Sequence, residues 1–462
     1  GSSLADQSGF DRCAERVAEA VRQGSHVVVV VSARGSSTNA LVREAQTVTP
    51  RPDADELAPL LATGEQASAA LFALQLRKLG LPARSLRPWE IGLLCTDEPE
   101  AARIRSVSLE RIVETQQGGA IPVVPGFQGL TESGRLVTLG RGGSDATAVA
   151  LAAGLHRSGR LVRCEIFTDV DGVMTADPRY IGETSPVRHI GAEDMLALSE
   201  AGAIVLHAPA VRIARQAGVP VHVRHSDGLG QGSLIDPHAR PRGSGIAGAI
   251  ACAYRADLEA VPLDFPHSTD LASLSMALEH ATDLDLSQIS LAWPQGASAT
   301  SNEEPSACVR LTAQTPVLDR VLPLVARRGA VIHDRMPCSQ VAVIAREPAG
   351  QSLATHLPLL LHAIAGRSTT LESAASEPPI RIIDAAHSPG VIRLTCRREV
   401  GFMLLERCHA AFGLDRAADM ATPQICIRAD ADRPARQYEA KPTADGSDPI
   451  DIYSIAYGEE RA

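Results

Sequence analysis

The sequence predicts an α/β protein, with a parallel-sheet layer fold in its first half and smaller α+β modules behind it. Three observations predict it. Wholly apolar runs such as His26-Val27-Val28-Val29-Val30-Val31 alternate with helix-like stretches, and runs without period-2 alternation fit parallel strands covered on both faces. A stretch rich in Pro, Gly and Arg, Pro237 to Gly245, reads as a linker. Beyond it the pattern becomes strand–helix–strand–strand–helix, the grammar of small antiparallel modules.

Taken in order, a helix over 10–23 leads into the valine strand 26–31. A helix over 65–79, strands at 83–86 and 121–124, a helix over 145–158, a strand at 163–168, a helix over 192–201 and a strand at 219–224 follow. In the second half, strands are expected at 306–313, 330–335 and 341–346, and helices at 316–328 and 351–364. A further strand–helix–strand set falls at 390–398, 402–413 and 423–429. Segments 296–306 and 366–379 read as polar loops, and 430–448 as charged with little order signal. The division that results is 1–236, a linker at 237–248, and modules at 249–370 and 371–462.

Composition narrows the function classes. With 462 residues and 45% hydrophobic content the chain is not disordered. No apolar run approaches the roughly 18 residues needed to span a bilayer, and no charged-then-apolar leader opens it, so a cytoplasmic protein without a membrane partner is expected. A net charge of −10 argues against nucleic acid as a partner. Nine dispersed cysteines with no C-x-x-C pair argue against a disulfide framework or zinc site. Of 44 basic residues only two, Lys78 and Lys441, are lysines, leaving 42 arginines. A compact ammonium is therefore scarce wherever chemistry requires one.

Four strings carry chemistry. In Leu139-Gly140-Arg141-Gly142-Gly143-Ser144-Asp145, glycines lie where a loop becomes a helix, so free N–H groups and the positive helix end favour an anion. The plainer reading is capping by Ser144 or Asp145. Thr168-Asp169-Val170-Asp171-Gly172-Val173-Met174-Thr175-Ala176-Asp177-Pro178-Arg179 follows an apolar strand, at the edge where open α/β sheets bind ligands. Its carboxylates and arginine suit a nucleotide with magnesium, and it lacks the glutamate of an EF-hand loop. Val31 to Asn39 closes the valine strand with hydroxyls, Gly35 and Arg34, and reads as an anion-binding turn or an ordinary one. Thr63-Gly64-Glu65 opens a helix, with Thr63 as a cap or as part of a site.

Together and in this order, Val31–Asn39, Thr63–Gln66, Leu139–Asp145 and Thr168–Arg179 resemble the aspartokinase motifs VSA-x4-TN, TGEQ, LGRGGSD and TDVDGVYTADPR. Gly202–His207 is similar to the family's GAKVLHP, and Trp89–Arg103 to its GWQAGI…ARI stretch. The resemblance covers residues 1 to about 236. It implies the amino-acid kinase fold, a parallel-sheet sandwich followed by two ACT-like regulatory modules through which the chain would form a homo-oligomer. It also implies transfer of the ATP γ-phosphoryl group to the side-chain carboxylate of aspartate, with ATP and Mg2+. Carried over by motif, Ser32, Thr38, Glu65, Arg141 and Ser144 would hold the amino acid, with Arg141 on a carboxylate and Glu65 facing the ammonium. Gly142, Gly143, Thr168, Asp169, Met174 and Arg179 would hold the nucleotide. Arg141 and Asp145 would act in catalysis, Asp145 organising cationic groups, and no metal ligand is assigned.

Three departures stand out. The family opens with KFGG-[ST]-S, and this chain opens at Gly1-Ser2-Ser3-Leu4, the tail of that motif without its lysine and strand. The family's second site lysine is Ile204 here, and its nucleotide-loop tyrosine is Met174. Three readings stay open: an active aspartokinase, a non-catalytic regulatory subunit, and a same-fold kinase for another amino acid. In the regulatory half, Ala313–Pro316 lacks the glycine that enters the first helix of effector-binding ACT modules, whereas Glu399-Val400-Gly401-Phe402 has it. Lysine or threonine feedback therefore has no support in the sequence.

Overall fold

The structure, a computed structural model, describes residues 2–455 except 100, 161, 204, 229, 240–247, 266–289, 293–306, 328, 346–379, 389 and 416–449. The valine run forms strand His26–Val31, with its five valines buried. It lies inside an eight-stranded sheet in the order 189–191, 233–236, 221–225, 162–168, 450–455, 26–31, 121–125, 83–85. Every neighbouring pair is parallel except 221–225 with 233–236. The sequence reading missed one of these strands. Ile450–Ile455 runs between His26–Val31 and Val162–Thr168, pairing Ile450 with His26 on one side and Val162 on the other. Its alternation Ile-Asp-Ile-Tyr-Ser-Ile is a strand signal, masked by the polar stretch before it.

Helices cover both faces. On one, Gln7–Arg22 and Ala54–Lys78 meet through Phe10 and Phe72, whose ring centroids are 5.8 Å apart. On the other, Gly143–Arg157 lies almost wholly buried beside Ala208–Ala217. Ala54–Lys78 begins well before the expected start at 65. Asp53 caps it by accepting the Asp55 N–H at 2.9 Å, so Thr63-Gly64-Glu65 is mid-helix and does not open it. The Thr63 hydroxyl instead donates to the Leu60 carbonyl at 2.6 Å. By length and composition alone this helix could cross a membrane, yet Leu61, Ala62, Ala69, Phe72 and Leu76 are buried in the fold. Helices Ser37–Val48, Glu110–Gln117 and Ala208–Ala217, and a small sheet of 93–95, 104–107, 128–130 and 136–138, were not foreseen.

The second half is antiparallel, as expected. Its strands run in the order 290–292, 307–313, 249–265, 336–345, 391–397, 382–388, with 331–332 alongside 249–265. Helices Thr315–Ala326 and Gly401–Ala411 flank this one continuous sheet. Ile250, Ala251, Ala253, Ala342, Ile344 and Val391 join the core of the first half. Val341, Val343, Ile392 and Leu394 pack with Leu404, Leu405 and Cys408, and with Ala176 and Ile181 of the first half. The two halves thus share apolar cores. Gly401 serves packing: a Cβ there would lie 2.4 Å from Ser339 Cβ and 2.9 Å from the Tyr254 hydroxyl. The expected elements at 351–364 and 423–429, the segments 296–306, 366–379 and 430–448, and the linker core 240–247 lie outside the described residues. The seven described cysteines are free and buried, and burial pushes the Cys13 thiol up to about 11 and Cys252 up to about 12.

Candidate active site

Parallel strands deliver their C-terminal ends to one edge, and the motif loops leave the sheet there. After Val31 come Ser32 and Ala33, both buried. The Ala33 N–H donates to Glu65 Oε1 at 3.1 Å across to the long helix. Gly64 allows that approach, since a Cβ there would lie 2.9 Å from Ala33 Cβ. Glu65 is 3% exposed, and its Oε2 is buried with no hydrogen-bond partner. Burial pushes this carboxyl up to about 7, against the pull of the Ala33 N–H. An acid so placed is poised to receive a cation.

The Gly126 N–H donates to the Val31 carbonyl at 2.9 Å, and its Cα is so close to Ser144 that a Cβ would lie 2.8 Å from Ser144 Cα. Ser32, Glu65 and Ser144 are therefore linked through Ala33 and Gly126. Thr38 falls in the first turn of Ser37–Val48 and is half-buried. A cleft of about 310 Å³ adjoins, lined by Ser37, Thr63, Gly64 and Ser68, next to the assigned residues rather than by them. Arg34 also lines this cleft, with part of its guanidinium already engaged. Its Nε donates to the Leu4 carbonyl at 3.1 Å, and its guanidinium lies 4.5 Å from the Phe10 ring centre.

The glycine loop enters helix Gly143–Arg157 through Gly142, which is left-handed at φ +68° and is itself the N-cap. The capping alternative for Ser144 or Asp145 is thereby corrected: both sit in the first helical turn, buried at 6% and 5% exposure. Glycine is required at 142 twice over, by its φ and by the His207 ring, 2.4 Å from where a Cβ would be. Arg141 is exposed at the loop tip, and Gly143 packs against Phe127.

The Asp-rich loop follows strand Val162–Thr168. Buried Thr168 donates to Asp169 Oδ1 at 3.1 Å, and Asp169 is exposed. Asp171 faces inward, accepting from the Gly232 N–H at 2.9 Å and Arg188 Nη1 at 2.8 Å, which staples the loop to its neighbour. Met174 is half-buried in a two-residue ribbon opposite Pro186. Arg179 is exposed and held by Asp177, its Nε 3.0 Å from each carboxylate oxygen. Ile204 lies outside the described residues, and Lys78 is exposed at the end of its helix. Sequence reasoning missed Gly126 and Phe127, and had His207 only as the end of the GAKVLHP-like string, without its place against Gly142. Pro125-Gly126-Phe127 directly after a buried strand was a readable turn signal, whereas the left-handed Phe127 (φ 68°) was not.

Residues 1–225 match the model of the amino acid kinase family. The chain is 43% identical to an aspartokinase of Geobacillus stearothermophilus over 235 residues, 51% of this chain and 57% of that one. It is 40% identical to an aspartokinase of Thermus thermophilus over 248 residues, 54% and 60% of the two chains. The chain thus spans about three fifths of the length of these curated relatives. In fold it is similar to E. coli aspartokinase III solved with aspartate and ADP, at a TM-score of 0.67 and 20% identity, over 89% of this chain and 98% of that one. Residues 1–225 are therefore similar to the amino acid kinase family, and the relatives named above that match this part of the chain are aspartokinases.

Proposed function

We propose that the chain is an aspartokinase, transferring the γ-phosphoryl group of ATP to the side-chain carboxylate of L-aspartate to give 4-phospho-L-aspartate and ADP. The observation that carries this reading is Glu65, a buried carboxyl with one oxygen held by Ala33 and the other without a partner. That is the complement of a substrate α-ammonium at the sheet edge where Ser32 and Ser144 meet. Arg141 offers a planar fork to a substrate carboxylate. Left-handed Gly142 and the first turn behind it present backbone N–H groups to phosphate. Thr168, Asp169, Met174 and Arg179 bound the nucleotide side.

The nucleophile is already an anion, so the reaction requires no general base. Acceleration then rests on in-line positioning and on neutralising charge at the transferring group. Mg2+ carried by the nucleotide would supply part of that neutralisation. Asp169, an exposed carboxylate directly after strand Val162–Thr168, is the residue that would help hold that ion. We assign the kinase to 1–236 together with strand Ile450–Ile455, which lies inside its sheet, and regulatory modules to 249–370 and to the part of 371–462 before that strand, with homo-oligomer formation through these modules and a cytoplasmic location. The test is hydroxylamine trapping with ATP and aspartate, where aspartyl hydroxamate is the expected product. A second reading rests on Ile204, which stands where the resembled motif has a lysine. In that case both ligands bind, no hydroxamate forms, and the chain is a regulatory subunit.

A further inference from the structure

The second half of the Asp-rich loop is not free at the sheet edge. Thr175, 1% exposed, donates its N–H to the Ser185 carbonyl at 2.9 Å, and its carbonyl accepts the Cys252 N–H at 2.7 Å from the antiparallel sheet. Its hydroxyl accepts the Ser185 N–H at 3.0 Å and lies 3.0 Å from His409 Nε2. His409 is 2% exposed on helix Gly401–Ala411, which belongs to the second half of the chain. Farther along the loop, Ala176 and Ile181 are buried among Leu394, Leu404, Leu405 and Cys408. Tyr180 stands edge-on to Tyr254 with ring centres 5.1 Å apart, and 6.2 Å from Phe402 of the same helix. Between these anchors lie Asp177 and Arg179, the paired groups at the nucleotide side.

We infer that His409 is a positioning residue for nucleotide binding, tying helix Gly401–Ala411 to the Asp-rich loop through the Thr175 hydroxyl. The inference rests on the aspartokinase reading for what the loop binds, and on the buried contact for how the helix reaches it. The Thr175 hydroxyl already accepts from Ser185, so its proton is available to donate to Nε2, and neutral imidazole fits that bond. Burial favours the same form, lowering the His409 pKa against the charge of Asp415. Apolar packing alone would hold the segment loosely in register. A buried hydrogen bond fixes one rotation of the helix relative to the loop, because leaving either partner unsatisfied is costly. Anything that shifts this helix must then move Thr175 and, two to four residues on, Asp177 and Arg179.

The experiment uses the full chain and measures ADP and ATP affinity by calorimetry without turnover, alongside KM for ATP and for aspartate. His409→Phe and Thr175→Val are each expected to weaken nucleotide binding about tenfold, the scale of one buried hydrogen bond. KM for aspartate should stay within about twofold, and the double variant should lose no more than either single one. His409→Gln, which keeps a polar group near the Thr175 hydroxyl, should recover part of the loss and covers the case in which Phe at 409 prevents folding. Unchanged nucleotide affinity in a folded Thr175→Val chain, or fully additive losses in the double variant, would overturn the inference alone. A wild-type chain that binds no nucleotide would overturn it together with the kinase reading.

Discussion

Replacing Glu65 with Gln should stabilise the protein above neutral pH while removing aspartate-dependent activity. The folded state holds this carboxyl at about 7, against an ordinary value of 4.5. A raised acid makes its full contribution to stability below the unfolded pKa and loses it as pH rises toward the folded one. The wild-type chain should therefore lose stability across pH 4.5 to 7 through this group. The shift from 4.5 to about 7 corresponds to about 3 kcal/mol at pH 8. Gln keeps the acceptor for the Ala33 N–H and cannot ionise, so it escapes that loss. Urea denaturation of wild type and Glu65→Gln at pH 5 and pH 8 reads the effect. The expected gain is small at pH 5 and about 3 kcal/mol at pH 8. The same variant should lose about a hundredfold in kcat/KM for aspartate, since an amide cannot pair with an ammonium. Equal stability of both proteins at both pH values would refute the reasoning, as would a gain independent of pH.

Two further variants test the loops. Arg141→Ala should raise KM for aspartate about thirty- to a hundredfold, the scale of a lost charge-assisted bidentate pair, with nucleotide affinity little changed; steady-state kinetics in both substrates checks this. Gly142→Ala meets the His207 ring and a left-handed backbone at once, so it should cost about 1–2 kcal/mol in chemical denaturation and lower nucleotide affinity measured by calorimetry.

Much of the fold was legible because burial on both faces leaves an unmistakable trace, as in the five consecutive valines of His26–Val31. The helix start at Asp53 was missed because Pro59 lies inside 54–62, where proline normally breaks a helix, and because Thr63-Gly64-Glu65 mimics a cap. At the candidate site, the glycine at 142 was readable from its string, and the structure gives it a left-handed φ and a crowded Cβ position. Partnerships were not readable. Nothing local distinguishes Asp171, consumed by Arg188 and Gly232, from exposed Asp169, because the partners come from distant segments. Arg34 likewise gives no local sign that Phe10 and the Leu4 carbonyl fold against it.

The strand Ile450–Ile455 bears on how the molecule is made. His26–Val31 and Val162–Thr168 emerge from the ribosome early, but each pairs with residues that are synthesised only after the antiparallel second half. Closing such a long loop is slow, and until it closes two apolar parallel strands keep unpaired edges. The parallel sheet, begun first, is therefore completed only after residues 450–455 have been made, and until then the nascent chain carries it open at its centre.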